Sequence, residues 1–195
     1  MSHEIRPLAA TTENAKAILS MVRYDLVDSG MPIAEADRLV NDKDRIKRIR
    51  TKLAKTTDYM GAFSSERQLI GYSQSHEWLT GDQLPYAGRI ERLTLRAHNA
   101  LHDHQLPGHP LGIFAVSVVE RLQKDEQIQV AMKLIADVLE RGRDEQVHNE
   151  VRVGLADDEP LLAAFEYHGF TPTQQSGSPL GVPLRLYTVP LKKRN

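Results

Sequence analysis

The sequence predicts an α/β (α+β) fold, and three observations carry that prediction. Leu111-Gly-Ile-Phe-Ala-Val-Ser-Val-Val119 is a strand-like run, rich in β-branched and aromatic residues and uncharged until Glu120, as expected where both faces of a sheet are covered. After it, Ile128, Ala131, Met132, Ile135, Val138 and Leu139 follow the three-and-four spacing of one buried helix face. Glu150-Val-Arg-Val-Gly-Leu155 then alternates as a short strand. A strand returning parallel to its neighbour needs a crossover of about a dozen residues or more, and the helix from Asp125 to Arg141 supplies one.

The elements follow in order. His3-Glu-Ile-Arg-Pro-Leu8 alternates like a short strand, with Pro7 marking its end. Thr11 or Thr12 can cap a helix whose apolar face is Ala15, Ile18, Leu19, Val22, Leu26 and Val27, and Gly30-Met-Pro32 breaks it. A second, polar helix is expected from about Ile33 to Lys55, carrying Lys43, Arg45, Lys47, Arg48, Arg50, Lys52 and Lys55 interleaved with Ile46, Ile49 and Leu53. A solvated basic face is the simpler reading of that run; a surface attracting acidic groups such as phosphate is the other. Tyr59–Phe63 and Leu69–Trp78 bracket the polar loop 64–68 as an antiparallel hairpin, with Trp78 assigned to packing. From Thr80 to Pro110 the pattern is irregular, and an insertion of that length marks a candidate substrate region. After the second strand of the parallel pair, Asp157 or Asp158 can cap a helix with Pro160 in its first turn, running into Gly169-Phe170. The strand after Phe170 and Leu184–Leu191 form a closing hairpin. The helix from Asp125 is expected to stop at Arg141-Gly142, a basic last turn followed by a glycine.

Composition sets the bounds. At 195 residues the chain is most simply one domain over 1–195, large enough to bury roughly two thirds of its unfolded surface without staples. A hydrophobic content of 41% with 26% charged residues is globular, and a formal net charge of −1 gives no reason to expect nucleic acid as a partner. There is no cysteine, which excludes disulfides, thiolate catalysis and cysteine metal sites. No run approaches the ~18 apolar residues of a membrane span, so the expectation is a soluble, cytoplasmic protein without a membrane partner. His98, His102, His104 and His109, with Asp103 among them, fall in the insertion. The spacing of the first two is compatible with a metal pair, but surface histidines in a polar loop are the reading adopted, and no metal site is assigned.

Two segments resemble a known family. Leu161-Leu-Ala-Ala-Phe-Glu-Tyr-His-Gly-Phe170 resembles the last helix of the GNAT superfamily of N-acetyltransferases, A-x-x-x-Y-x-K-x-G-F, and Val116-Ser-Val-Val-Glu-Arg-Leu-Gln123 is similar to its fourth strand, V-x-V-x-P-x-Y-[QR]. Glu91–Leu95 and Leu180–Tyr187 further resemble the arylalkylamine (serotonin) N-acetyltransferase branch. The resemblance implies a GNAT fold, a mixed central sheet of about seven strands flanked by about four helices. It also implies acetyl-CoA as co-substrate and direct attack by a small-molecule amine, without a covalent enzyme intermediate. In that case the edge of Val116, Ser117 and Val118 would meet the pantetheine arm, and Gln123, Lys124, Asp125, Glu126, Gln127 and Ile128 the pyrophosphate. Phe165 would line the cofactor site, and the 80–110 insertion would shape the acceptor pocket.

The same motifs are degenerate. Acetyl transfer needs a held thioester, an amine that loses its proton and a protonated leaving thiolate. The family's [QR]-x-x-G-x-[GA] loop lets backbone N–H groups reach the pyrophosphate, but Glu126 and Ile128 stand at its small positions, and a register shifted along the helix does not restore them. Asp125 and Glu126 suit a helix N-terminus yet repel a phosphate there, with Lys124 in partial compensation. Phe165 takes the place of the helix tyrosine that serves as general acid, and Tyr167, two residues on, points about 200° away around the helix. Gly112 and Phe114 stand where the arylalkylamine branch has two strand histidines. No catalytic residue is therefore assigned; His109 and Tyr167 are the remaining candidates. The rival expectation is a GNAT-fold binding or interaction protein that has lost the acetyl-CoA site. Dimerisation stays open, since the apolar positions are already needed for the core.

Overall fold

The computed structural model describes residues 3–28, 30–56, 58–77, 109–145, 148–156, 160–177 and 184–191. The chain runs β1 (Glu4–Pro7), α1 (Thr12–Asp28), α2 (Ile33–Val40), α3 (Lys43–Leu53), β2 (Tyr59–Phe63), β3 (Leu69–Glu77), β4 (His109–Val118), α4 (Lys124–Asp144), β5 (His148–Leu155), α5 (Leu162–Tyr167), β6 (Thr171–Gly177) and β7 (Leu184–Pro190). The strands form one seven-stranded mixed sheet in the order β1-β2-β3-β4-β5-β7-β6. The β4–β5 pair is parallel, whereas β1–β2, β2–β3, β5–β7 and β6–β7 are antiparallel. The α+β class is thus as the sequence predicts, and the mixed seven-stranded sheet is as the family resemblance implies. Among the described residues there are five helices rather than about four.

The fifth arises because the stretch expected as one helix from Ile33 to Lys55 is two. Asp42 takes an extended conformation, and its carboxylate accepts the Asp44 N–H at 2.9 Å, which starts α3 afresh. The apolar spacing continues across this break, so periodicity alone does not reveal it. Among the described residues no helix is long and apolar enough to cross a membrane.

The residues group into two compact units, 1–74 with 115–134, and 75–114 with 135–195. In the first, α1 is capped as predicted: the Thr11 hydroxyl accepts the Asn14 N–H at 3.1 Å. Its buried side chains are Ala15, Ile18, Leu19 and Met21, while Val22, Leu26 and Val27 are only half-buried, so the inward stripe sits nearer the start of the helix than expected. Ile18 and Met21 join Leu8, Leu53, Tyr59, Phe63 and Tyr72 in one apolar cluster, each large side chain contributing about 1.5–3 kcal/mol. The β2–β3 hairpin closes through the Ser64 N–H, which donates to Gln68 O at 2.9 Å. Val130 is fully buried on the part of α4 that belongs to this unit, whereas Ile128 is half-exposed. The predicted α4 face is therefore corrected: Val130 and Leu134 belong to it, packed where Gly71 lets β3 come close.

In the second unit, β5 pairs with β4 at His109↔His148, Leu111↔Val151 and Gly112↔Arg152. Val151, Val153 and Leu155 are buried, together with Ile135, Val138 and Leu139 of α4. The expectation that α4 stops at Gly142 is overturned, since the helix continues to Asp144. Gly142 is a packing residue: a Cβ there would lie 2.9 Å from Leu191 Cδ1 and 3.1 Å from Leu111 Cδ2. On the same helix Arg141 pairs with Asp137 at 2.9 Å and donates from Nη2 to the buried Ser75 hydroxyl at 2.9 Å. The helix expected before Gly169 is α5, with Leu161 at its N-cap; Asp157 and Asp158, the predicted caps, lie outside the described residues. The closing hairpin is β6–β7, as predicted.

Candidate functional site

The junction from β4 into α4, within the first unit, holds most of the residues singled out from sequence. Val116 is half-buried, and Ser117 and Val118 are buried at the end of the strand. The Ser117 hydroxyl donates to Asp25 Oδ2 of α1 at 3.0 Å, and the Val119 N–H donates to Ile70 O at 2.9 Å, which fixes the strand end from two sides. Residues 119–123 turn the chain, and α4 begins at Lys124. First-turn amides of an α-helix have no carbonyl four residues back to bond, so this 21-residue helix presents N–H groups and the positive end of its dipole at the turn.

The side chains around it divide by role. Gln127 is turned into the loop: its Nε2 donates to Leu122 O at 2.8 Å and to Glu120 O at 3.1 Å, and its own N–H donates to Gln123 O at 2.9 Å. It braces the turn from inside. Gln123, Lys124 and Asp125 are exposed, and Ile128 is half-exposed. Arg121 donates from Nη2 to Gln68 Oε1 at 2.7 Å. Glu126 faces His3, with 3.7 Å between Oε1 and Nε2. Only 9% of His3 is exposed, and neither ring nitrogen makes a hydrogen bond among the described residues. Burial, joined by the Lys133 charge, lowers the His3 pKa against the pull of Glu126, so the ring is neutral near pH 7.

A second feature is acidic. Burial, together with the carboxylates of Glu120, Asp28 and Asp25, holds the Tyr24 hydroxyl above the ordinary tyrosine value. These charges sit at the C-terminal half of α1 and on the turn after β4, where they favour a cation over an anion.

The junction therefore presents a helix N-terminus with little positive charge from its side chains: there is no glycine between Val118 and Val130, and Asp125 and Glu126 occupy the first helical turn. In the second unit, Phe165 is 2% exposed and stands edge-on to Phe170, ring centroids 5.4 Å apart. Tyr167 is 71% exposed and packs against the His168 ring at 5.3 Å. The backbone of His109 opens β4, but its side chain lies outside the described residues, as do His98, His102, His104 and the insertion from 78 to 108. Among the described residues no group of three or more His, Asp or Glu could hold a metal ion. Two features escaped the sequence reading: the brace from Gln127 and the burial of Arg152 on β5. A half-polar strand and a helix-start glutamine carry no signal that separates these roles from ordinary solvent exposure.

No family model matches the chain. No curated protein matches it either. Solved structures do. The PaiA N-acetyltransferase from Thermoplasma acidophilum in complex with coenzyme A superposes with a TM-score of 0.63 at 12% identity, covering 97% of this chain and 99% of that one. The acetyltransferase of GNAT family from Streptococcus pneumoniae gives 0.62 at 11% identity over 98% and 100%. The C-terminal condensation domain of Ebony, in complex with beta-alanyl-dopamine, gives 0.68 at 13% identity over 97% and 99%. Across the full length and at identities this low the likeness is one of architecture, and what it establishes is that this chain folds as the GNAT acetyltransferases do.

Proposed function

We propose that this protein is an N-acetyltransferase that carries an acetyl group from acetyl-CoA to a small amine by direct attack. The observation that supports it is the β4–α4 junction: a strand end fixed at Ser117 and Val119 leads through an internally braced turn to a helix N-terminus. It does so in a fold whose solved examples include one bound to coenzyme A. On this reading the edge of Val116–Val118 holds the pantetheine arm by main-chain hydrogen bonds, and the first-turn amides of α4, helped by Lys124, meet the pyrophosphate. The carboxylates around Tyr24 favour a cationic acceptor.

The amine nitrogen attacks the thioester carbonyl, the C–N bond forms as the C–S bond breaks, and the CoA thiolate takes up a proton. Phe165 has no proton to give, so water carries the proton steps and the protein contributes chiefly positioning. A slow enzyme is the expected result.

Calorimetry with CoA and acetyl-CoA tests this reading. Saturable binding in the micromolar range, of order −8 kcal/mol, followed by thiol release with amines, is expected. Absence of binding at millimolar ligand would overturn it and leave the protein as a GNAT-fold binding module.

A further inference from the structure

Within the first unit, α3 concentrates positive charge. It holds six basic side chains and one acidic, Asp44, in a chain whose formal net charge is −1. At 3.6 residues per turn the six fall into two rows: Lys43, Lys47 and Arg50 lie within about 60° of one another on one flank, and Arg45, Arg48 and Lys52 within about 60° on the other. On the inner side between the flanks, Leu53 is buried in the apolar cluster and Ile49 packs against it. On the outer side the crest holds Asp44 and Thr51, and the Thr51 hydroxyl donates back to Lys47 O at 2.9 Å. Lys43, Lys47, Arg48 and Arg50 are exposed, Arg45 and Lys52 half-buried. This arrangement works against the helix. Lys43 with Lys47 and Arg48 with Lys52 are like charges four apart, Arg45 with Arg48 and Lys47 with Arg50 three apart, and such pairs destabilise a helix. Lys43 also stands at the positive end of the helix dipole. Asp44 alone supplies opposite charge within α3, and the carboxylate of Asp42 is engaged in capping. A face that meets only water usually mixes its signs, as α4 does where Asp137 meets Arg141 at 2.9 Å.

We infer that α3 docks on double-stranded DNA, its two rows holding the phosphates on either side of a groove without reading the bases. A helix with its side chains is about 10–12 Å across, and the major groove of B-form DNA is about 12 Å wide, so basic rows on opposite flanks of one helix face the two backbones. Each row extends about 10 Å along the helix axis. The small crest carries no arginine or amide fork toward base edges, so the grip is on phosphate. Other polyanions match less well. Single strands are held by stacking on aromatic side chains, and α3 has none. The major groove of duplex RNA is too deep and narrow. A membrane surface takes up an apolar helix face, whereas Leu53 and Ile49 of α3 are committed to the core. A disordered acidic peptide has no fixed charge spacing to match two rows. The overall charge of −1 conceals the feature because attraction acts only within about 10 Å at 0.1 M salt. Acetyl transfer plays no part in this inference, which stands or falls apart from it.

The test is fluorescence anisotropy of the full chain with a labelled DNA duplex of about 20 base pairs and mixed sequence, at salt from about 50 to 200 mM. A dissociation constant of about 1–100 µM is expected, weakening with salt by a log–log slope of about −0.9 for each phosphate neutralised, or about −5 for the six basic residues. The triple variant Lys43→Gln, Lys47→Gln and Arg50→Gln neutralises the exposed row. It should bind about tenfold or more weakly at the lowest salt, with a slope shallower by about 3. Arg143→Gln, exposed at the end of α4, should leave both values unchanged. With like-charge repulsion relieved, the thermal transition of the triple variant should not fall. If it does, Lys47→Gln alone decides, with a slope shallower by about 0.9. No binding at about 500 µM protein, an unchanged slope in the variants, or equally tight binding of single-stranded DNA, duplex RNA, polyglutamate or phosphatidylserine vesicles overturns the assignment.

Discussion

Gly71→Ala is expected to destabilise the protein although it removes a glycine from a strand. An ideal Cβ at this position would lie 3.0 Å from the Ser117 carbonyl oxygen, 3.0 Å from Val130 Cγ1 and 3.4 Å from Leu134 Cδ1. The first is backbone of β4 and the other two are fully buried side chains of α4, so relief requires a strand or a helix to move by a few tenths of an ångström. Overpacking of this kind costs about 1–3 kcal/mol. Relieving glycine's entropy returns about 0.5–1 kcal/mol. The net loss is about 0.5–2 kcal/mol, or roughly 1–8 °C in Tm for a domain of this size. Gly142→Ala is the internal comparison. There the Cβ meets only methyl groups of Leu191 and Leu111, which can rotate aside, and a helix interior gains about 1 kcal/mol from the change. Urea and thermal denaturation of both variants decide the matter, with a constant m-value as the check that only stability has moved. Gly71→Ala at or above wild-type stability, or Gly142→Ala falling further than Gly71→Ala, would refute the reasoning.

Other consequences are open to simple measurements. His3 has a folded-state pKa below its ordinary value of 6.5, so the unfolded chain takes up the proton first: stability from this group is full above about pH 6.5 and is lost as pH falls toward the folded value. Thermal transitions from pH 7.5 to 5 should show a fall that is smaller in His3→Leu, and parallel profiles would contradict it. Asp42→Ala should cost about 1 kcal/mol through loss of the α3 cap, with Asp42→Asn near wild type; chemical denaturation separates the two. Burial raises the Asp137 carboxyl above 3.8 against the pull of Arg141, so Arg141→Met should raise it further. Because a raised carboxyl pKa withdraws stability as pH climbs through it, that variant should lose more at pH 7 than at pH 4, with the titration itself followed by carbon NMR.

What was legible in the sequence depended on whether the signal was local. The α1 cap at Thr11, the hairpin around Ser64–Gln68 and the crossover from β4 to β5 follow from spacing and turn chemistry that need no knowledge of the partner surface. Gly142 reads as a helix stop because glycine after a basic turn is the usual end of a helix. What keeps it inside α4 is the approach of Leu191 and Leu111, residues far away in sequence. Likewise Val130 and Leu134 are recruited to the buried face by the missing side chain at Gly71 on another element. The site divides in the same way. The strand-turn-helix order of the junction is sequential and could be placed, whereas the Gln127 brace depends on a side-chain rotamer. The burial of Arg152 depends on which face of β5 is covered, and alternation of polar and apolar residues places Arg152 on a polar face without saying that this face is closed.

The position of β7 between β5 and β6 has a consequence for biosynthesis. Six consecutive residues of β5, Glu150 to Leu155, pair with Arg185 to Pro190, and β6 pairs with β7. During translation β5 and β6 leave the ribosome with one another's future neighbour still unmade, so the edge of β5 stays open and β6 has no strand to join. An unpaired edge of that length is where nascent chains stick to each other or recruit chaperones. Synthesis arrested just short of residue 184 would leave five adjacent strands with the β5 edge unpaired and β6 without its neighbour.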